Sequence, residues 1–130
     1  KNNINKVEKY FKIKFPTDYS DFILKNNGGK PLKKYFKTKD KKEHILESLI
    51  SLISTKDSQS LIKTYLNVSD RLPKKIIPIG LDPFGNFICF DFNQSSPSIC
   101  FWDHEIAFKN PSKSIIKIAS SFTEFLNSLY

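Results

Sequence analysis

Two apolar runs separated by a tight turn constrain this chain more than any other feature. They read Ile76-Ile77-Pro78-Ile79-Gly80-Leu81 and Phe87-Ile88-Cys89-Phe90-Asp91-Phe92, with Asp82-Pro83-Phe84-Gly85-Asn86 between them. Asp-Pro and Gly-Asn are turn chemistry, because Pro presets φ, Gly accepts φ > 0, and Asp and Asn bond their own backbone. Ile and Phe fit a pleated, packed surface. The segment predicts a buried antiparallel hairpin. Its polar residues, Asp82, Asn86 and Asp91, sit at the turn and a strand end, and none is a Ser, His or Cys beside a base. The best-defined part of the chain reads as scaffold.

Around it the periodicity changes. Residues 4–13 predict an amphipathic helix with Ile4, Val7, Tyr10 and Phe11 on one side. Phe15-Pro16 opens a second helix, where Pro needs no N–H partner and Asp18 suits the positive end. Tyr19, Phe22 and Ile23 form its stripe, and Asn27-Gly28-Gly29 ends it. Residues 31–39 predict an exposed, lysine-bearing strand, followed by a polar loop at residues 40–43. The periodicity of residues 44–54 fits either a helix or a strand. Ser58 is the expected cap of a helix over about residues 59–67, with Leu61, Ile62, Tyr65 and Leu66 inward. A loop at Asn93–Pro97 and a strand Ile99–Trp102 follow the hairpin, and Ile106–Phe108 extends the pairing or lies in a loop. Ile115–Ala119 leads to a last helix, with Ser121 and Glu124 as a capping box and Phe122, Phe125, Leu126 and Leu129 buried. Helices at both ends and consecutive strands between them predict an α+β domain. Short connections make its sheet mainly antiparallel. The expected core includes Phe22, Ile79, Phe90, Phe101, Trp102, Phe122 and Phe125.

A chain of 130 residues is one domain, 1–130. No apolar run reaches membrane-spanning length, and the first residues lack the apolar stretch of a signal peptide. The expectation is therefore a cytoplasmic protein. Cys89 and Cys100, on adjacent predicted strands, are expected to be buried free thiols. The formal net charge is +8, and all the excess lies in the first third: residues 1–44 hold 13 Lys against 5 acidic residues. Lysine supplies the charge almost alone, whereas base and phosphate readers favour the planar fork of Arg. Nucleic-acid binding through this lysine-rich third is the alternative, and a solvated lysine face is the preferred reading.

No constellation of catalytic residues stands out. Trp102-Asp103-His104-Glu105 is the most tempting run, but successive residues on a strand point to opposite faces and converge poorly. Metal ligation is not expected, since no Cys-x-x-Cys occurs and His44 is the only other His. Gly28-Gly29 follows a helix, whereas phosphate-binding loops precede one. Asp82, Asp91 and Asp103 read as turn and cap residues. The expectation is no enzyme, no cofactor and no metal.

The ordered blocks carry a resemblance. Phe15-Pro16-Thr17-Asp18-Tyr19, then Phe22-Ile23-Leu24 and Asn27-Gly28-Gly29, precede Leu72-Pro73, Ile77-Pro78-Ile79-Gly80, Gly85-Asn86 and Phe101-Trp102-Asp103-His104. Ser121-Phe122-Thr123-Glu124-Phe125-Leu126 closes the series. Over residues 4 to 129 the chain resembles the SUKH superfamily, the Smi/Knr-type domain. The resemblance implies a sheet of about five or six strands with helices packed against it, and it favours a strand over Leu49–Ile53, where periodicity leaves helix or strand open. Bacterial members are mostly immunity proteins encoded beside polymorphic toxins, many of them nucleases, so it also implies a non-enzymatic protein that binds and neutralises a cognate toxin domain. A general interaction scaffold, as in the eukaryotic branch, is a further alternative. The expected partner-binding region is the exposed sheet side with its loops, at Lys33, Lys34, Lys39, Lys41 and Lys42 and at the strand end Trp102, Asp103, His104 and Glu105.

Overall fold

The computed structural model describes residues 2–26, 31–52 and 60–130, with the side chains of residues 2 and 3 left aside. The chain runs α1 (Asn2–Phe11), α2 (Thr17–Lys25), β1 (Tyr35–Lys37), β2 (Glu43–Ile45), β3 (Ser48–Leu49) and α3 (Leu61–Val68). It continues through β4 (Ile76–Leu81), β5 (Phe87–Asp91), β6 (Ser98–Trp102), α4 (His104–Lys109), a 3-10 turn at Pro111–Lys113, β7 (Ile115–Ala119) and α5 (Phe122–Ser128). The α+β architecture is as expected. An antiparallel sheet of order β3-β4-β5-β6-β7 is joined by a separate β1-β2 ribbon.

The central hairpin forms as the turn chemistry predicts, with Leu81 opposite Phe87 and Ile76 opposite Asp91. Pro78 cannot donate to a ladder, yet β4 is an inner strand. The conflict is resolved locally. The β4–β5 register shifts between Pro78 and Gly80, and β3 pairs only Gly80 and Leu81. Pro78 therefore has no β3 partner in register. Gly80 allows close packing, since a β-carbon there would stand 2.9 Å from Leu46 Cδ1.

Residues in β4, β5 and β6 are buried almost without alternation. Such runs mean a sheet covered on both faces. Ile77, Ile79, Ile88, Phe90, Ile99 and Phe101 face a large core with α1, α2, α5 and Phe36 of β1. Ile76, Phe87, Cys89, Cys100 and Trp102 face a smaller one with Val68 of α3 and Ala107 of α4. The exposed sheet side expected as a contact region is therefore absent from these three strands. Cys89 and Cys100 are register partners on the smaller-core face, both free and both buried.

Several local expectations change. Ile106–Phe108 lies within α4, because the Asp103 carboxylate accepts from the Glu105 and Ile106 N–H groups at 2.9 and 3.2 Å and starts a helix directly after β6. Ile115–Ala119 leads into α5 as expected and is itself an edge strand. The strand predicted over residues 31–39 is only Tyr35–Lys37, paired with β2. The stretch at residues 44–52 breaks into β2, β3 and an isolated parallel bridge from Ser51 to Ser60. Ser60 caps α3, its hydroxyl accepting from the Lys63 N–H at 3.2 Å. Within α3, Leu61 and Val68 are buried, and Leu66 points outward. Ser58, Ile53 and the glycines at 28 and 29 lie outside the described residues. In α2, Tyr19 and Ile23 occupy the core, and Phe22 packs half-buried at its margin. The other expected core residues, Ile79, Phe90, Phe101, Trp102, Phe122 and Phe125, are all buried.

Candidate functional site

The strand-end motif is built on a buried carboxylate. Asp82 Oδ1 accepts from the N–H groups of Phe84 and Asn86 at 2.9 and 2.8 Å, and its Oδ2 accepts from Asn86 Nδ2 at 2.9 Å. These bonds compensate the cost of burying Asp82. They also orient Asn86, whose Oδ1 accepts from the His104 N–H at 3.0 Å. Gly85 has φ +88, and a β-carbon on it would stand 3.4 Å from the His104 ring. The turn and the start of α4 are thereby locked together. Asp82, Asn86 and Asp103 spend their oxygens on turns and caps, as the sequence indicates.

Trp102 does not belong to an accessible surface. Its ring is fully buried, stacked on Phe87 at 5.4 Å and 13°, with the Arg71 guanidinium 5.7 Å from its centroid. It is a core residue of the α3–α4 side. Asp103 and His104 are half-buried, and Glu105 is exposed. Two aromatic neighbours passed over in the sequence are more accessible: Phe84 is 71% exposed and Phe108 81%. The signal for Phe84 was an aromatic residue inside a Pro-Phe-Gly turn, where no core contact is needed. Phe108 carried none, because its helix was unforeseen.

The lysines stand on the β1–β2 ribbon. Lys33 and Lys34 precede β1, with Lys34 Nζ 5.8 Å from the centroid of the Tyr35 ring, and Lys39, Lys41 and Lys42 form the tip. All five are exposed. The strand puts root and tip about 15 Å apart along the ribbon. At the tip, Thr38 donates its N–H to Lys42 O at 3.1 Å, and Thr38 O accepts from the Lys41 N–H at 2.8 Å. Asp40 sits among these cations. Its carboxyl is held below its ordinary range, first by the Thr38 hydroxyl that donates to it, with smaller help from the N–H and charge of Lys42. The ribbon is seated on the large core, where the His44 ring lies 4.1 Å from that of Phe101. Phe101 and Trp102 point to opposite faces. The lysine ribbon and α4 therefore flank the sheet from opposite sides and do not form one patch on a single face.

Among the described residues, no three His, Cys, Asp or Glu side chains group as metal ligands, and no helix is long and apolar enough to cross a membrane. The geometry offers rigid loops, exposed aromatics and a lysine-rich ribbon.

The chain is 36% identical over 132 residues to the SPbeta prophage-derived uncharacterized protein YokK of Bacillus subtilis (strain 168). The match covers 88% of this chain and 66% of YokK, so the chain spans just under two thirds of that relative. No solved structure matches the present chain. The family model described as SMI1-KNR4 cell-wall, SUKH_6, matches residues 1–126, and the chain belongs to that SUKH family.

Proposed function

We propose that this domain is a non-enzymatic immunity protein that binds and neutralises one cognate toxin domain in the cytoplasm. Membership of the SUKH family, typical of immunity proteins, carries this reading. The prophage origin in the name of its relative YokK is consistent with a gene carried on a mobile element.

This reading offers two separate contact regions on opposite sides of the sheet: the ribbon lysines 33, 34, 39, 41 and 42, and the loop end at Asp103, His104 and Glu105 with Phe84 and Phe108 as anchors. Exposed aromatics held on a rigid frame supply contact area at low entropic cost, and lysines raise the encounter rate with an acidic partner. Loops on such a frame change partner without disturbing the core.

Co-expression with the toxin domain encoded beside the gene tests the proposal. Restored growth and co-purification of the two proteins are expected. Undiminished toxicity together with tight RNA binding of steep salt dependence would replace it with the nucleic-acid alternative.

A further inference from the structure

A cleft of about 550 Å³ opens where the end of α1 meets the open end of the β4–β5 hairpin. Its floor is Phe11, Ile13, Phe92 and Pro97, all half-buried, and its rim carries the exposed lysines 12, 14 and 75. Floor and rim alternate along residues 11–14, so one short segment supplies both. No carboxylate lines the cleft. The nearest acidic residues in sequence are already engaged: Glu8 Oε2 accepts from the Phe15 N–H at 2.6 Å, and Asp91 Oδ1 from Asn93 N and Nδ2 at 2.9 and 2.8 Å. The length of β4 places this cleft roughly 20 Å from the Asp82–Asn86 turn.

A second observation marks the same place. Lys12 and Lys75 have φ of 58 and 63, and with Lys41 they are the non-glycine residues at positive φ among the described residues. Lys12 follows α1, where the Ile13 N–H donates to Glu8 O at 3.0 Å, a helix ending that favours Gly. Lys75 holds the turn before β4, its carbonyl accepting from the Phe92 N–H at 2.9 Å. Gly or Asn would adopt either conformation with less strain. Strain retained at a surface cleft is a mark of function.

We propose that the cleft binds an acidic polypeptide segment, with carboxylates on the lysine rim and one apolar side chain on the Phe11–Phe92 floor. The apolar centre within a charged rim has the anatomy of a protein interface. Nucleic acid fits less well. Phe11 is held edge-on to Tyr65 at 4.9 Å and Phe92 edge-on to Phe15 at 6.0 Å, so neither ring projects as a stacking platform. Lysine ammonium groups also lack the planar fork that reads phosphate. The inference goes beyond the immunity reading, because it assigns a separate site and the chemistry of its ligand whatever the main partner is.

The test uses four fluorescent probes: a peptide with the core Glu-Asp-Phe-Asp-Glu, its Gly-centred analogue, a Lys-Lys-Phe-Lys-Lys peptide and a short oligothymidylate. Saturable binding of the first, with NMR shifts at Phe11–Lys14, Lys75 and Phe92, is expected, and at least about tenfold weaker binding of the second and third. Two variants sharpen it. Lys12→Glu/Lys14→Glu/Lys75→Glu should weaken binding at least about tenfold. Lys12→Asn/Lys75→Asn should also weaken it by several-fold while unfolding at an equal or higher temperature, a pattern that a merely structural role would not give. Absence of saturable binding, affinity unchanged in both variants, equal binding of the basic peptide, or tighter binding of the oligonucleotide would each overturn the proposal.

Discussion

Asp18 and Thr123, 105 residues apart, are joined by two hydrogen bonds. Asp18 Oδ2 accepts from the Thr123 N–H at 3.0 Å and from its hydroxyl at 2.8 Å. Placed in the first turn of α2, Asp18 thus also satisfies an N-terminal N–H of α5. Asp18→Ala should lower stability by about 1 kcal/mol, in the range of a lost helix cap, as measured by urea unfolding. Asp18→Asn should retain part of that, because an amide oxygen still accepts.

Tyr19 and Phe122 pack edge to face at 5.2 Å, yet their substitution should differ sharply in effect. The Tyr19 hydroxyl is buried without a hydrogen-bond partner among the described residues, and burial pushes its ionisation upward. Tyr19→Phe removes an unsatisfied polar atom, so its stability should be equal to or above that of the parent. Phe122→Ala leaves a cavity and should cost about 3–5 kcal/mol. Denaturant midpoints of the two variants check both statements.

The Thr38–Asp40 pair predicts a pH response at the ribbon tip. The folded carboxyl titrates below its ordinary 3.8, chiefly because the Thr38 hydroxyl donates to it. The stabilisation is therefore fully present above that ordinary value and disappears as pH falls through the lowered one. NMR titration of the Asp40 side-chain carbon should give a midpoint below 3.8, and Thr38→Val should move it upward.

Reversing Lys39, Lys41 and Lys42 to Glu should slow association with the proposed toxin partner more than it speeds dissociation. The effect should shrink as salt is raised, since exposed charges act over a Debye length of about 10 Å at 0.1 M. Stopped-flow binding at two ionic strengths measures it.

Turn and cap chemistry made much of this fold readable. Asp82 through Asn86 fixed a hairpin, and Ser121 capped α5, its hydroxyl accepting from the Glu124 N–H at 3.0 Å; Glu124 reaches back to the Ser120 N–H rather than to that of Ser121. Short elements were less readable. α4 has six residues, too few for periodicity, and only the N-cap role of Asp103 announced it. At the candidate site, exposed lysines were legible as charge. Trp102 was legible as core from its apolar strand, yet it also entered the expected contact region, because the exposure of a strand-ending aromatic residue depends on whether a helix covers it. That α3 and α4 would close the second face depends on tertiary packing.

The paired thiols of β5 and β6 turn this covered sheet into its own recorder of opening. Burial raises the Cys89 pKa well above its ordinary range, so little reactive thiolate forms there while the layers are closed. Its neighbour, only 1% exposed, is shielded by the same two layers. A thiol reagent therefore reports the rate at which the strands part, and reaction of both sulfurs in step would identify the middle of the sheet as a single cooperative unit.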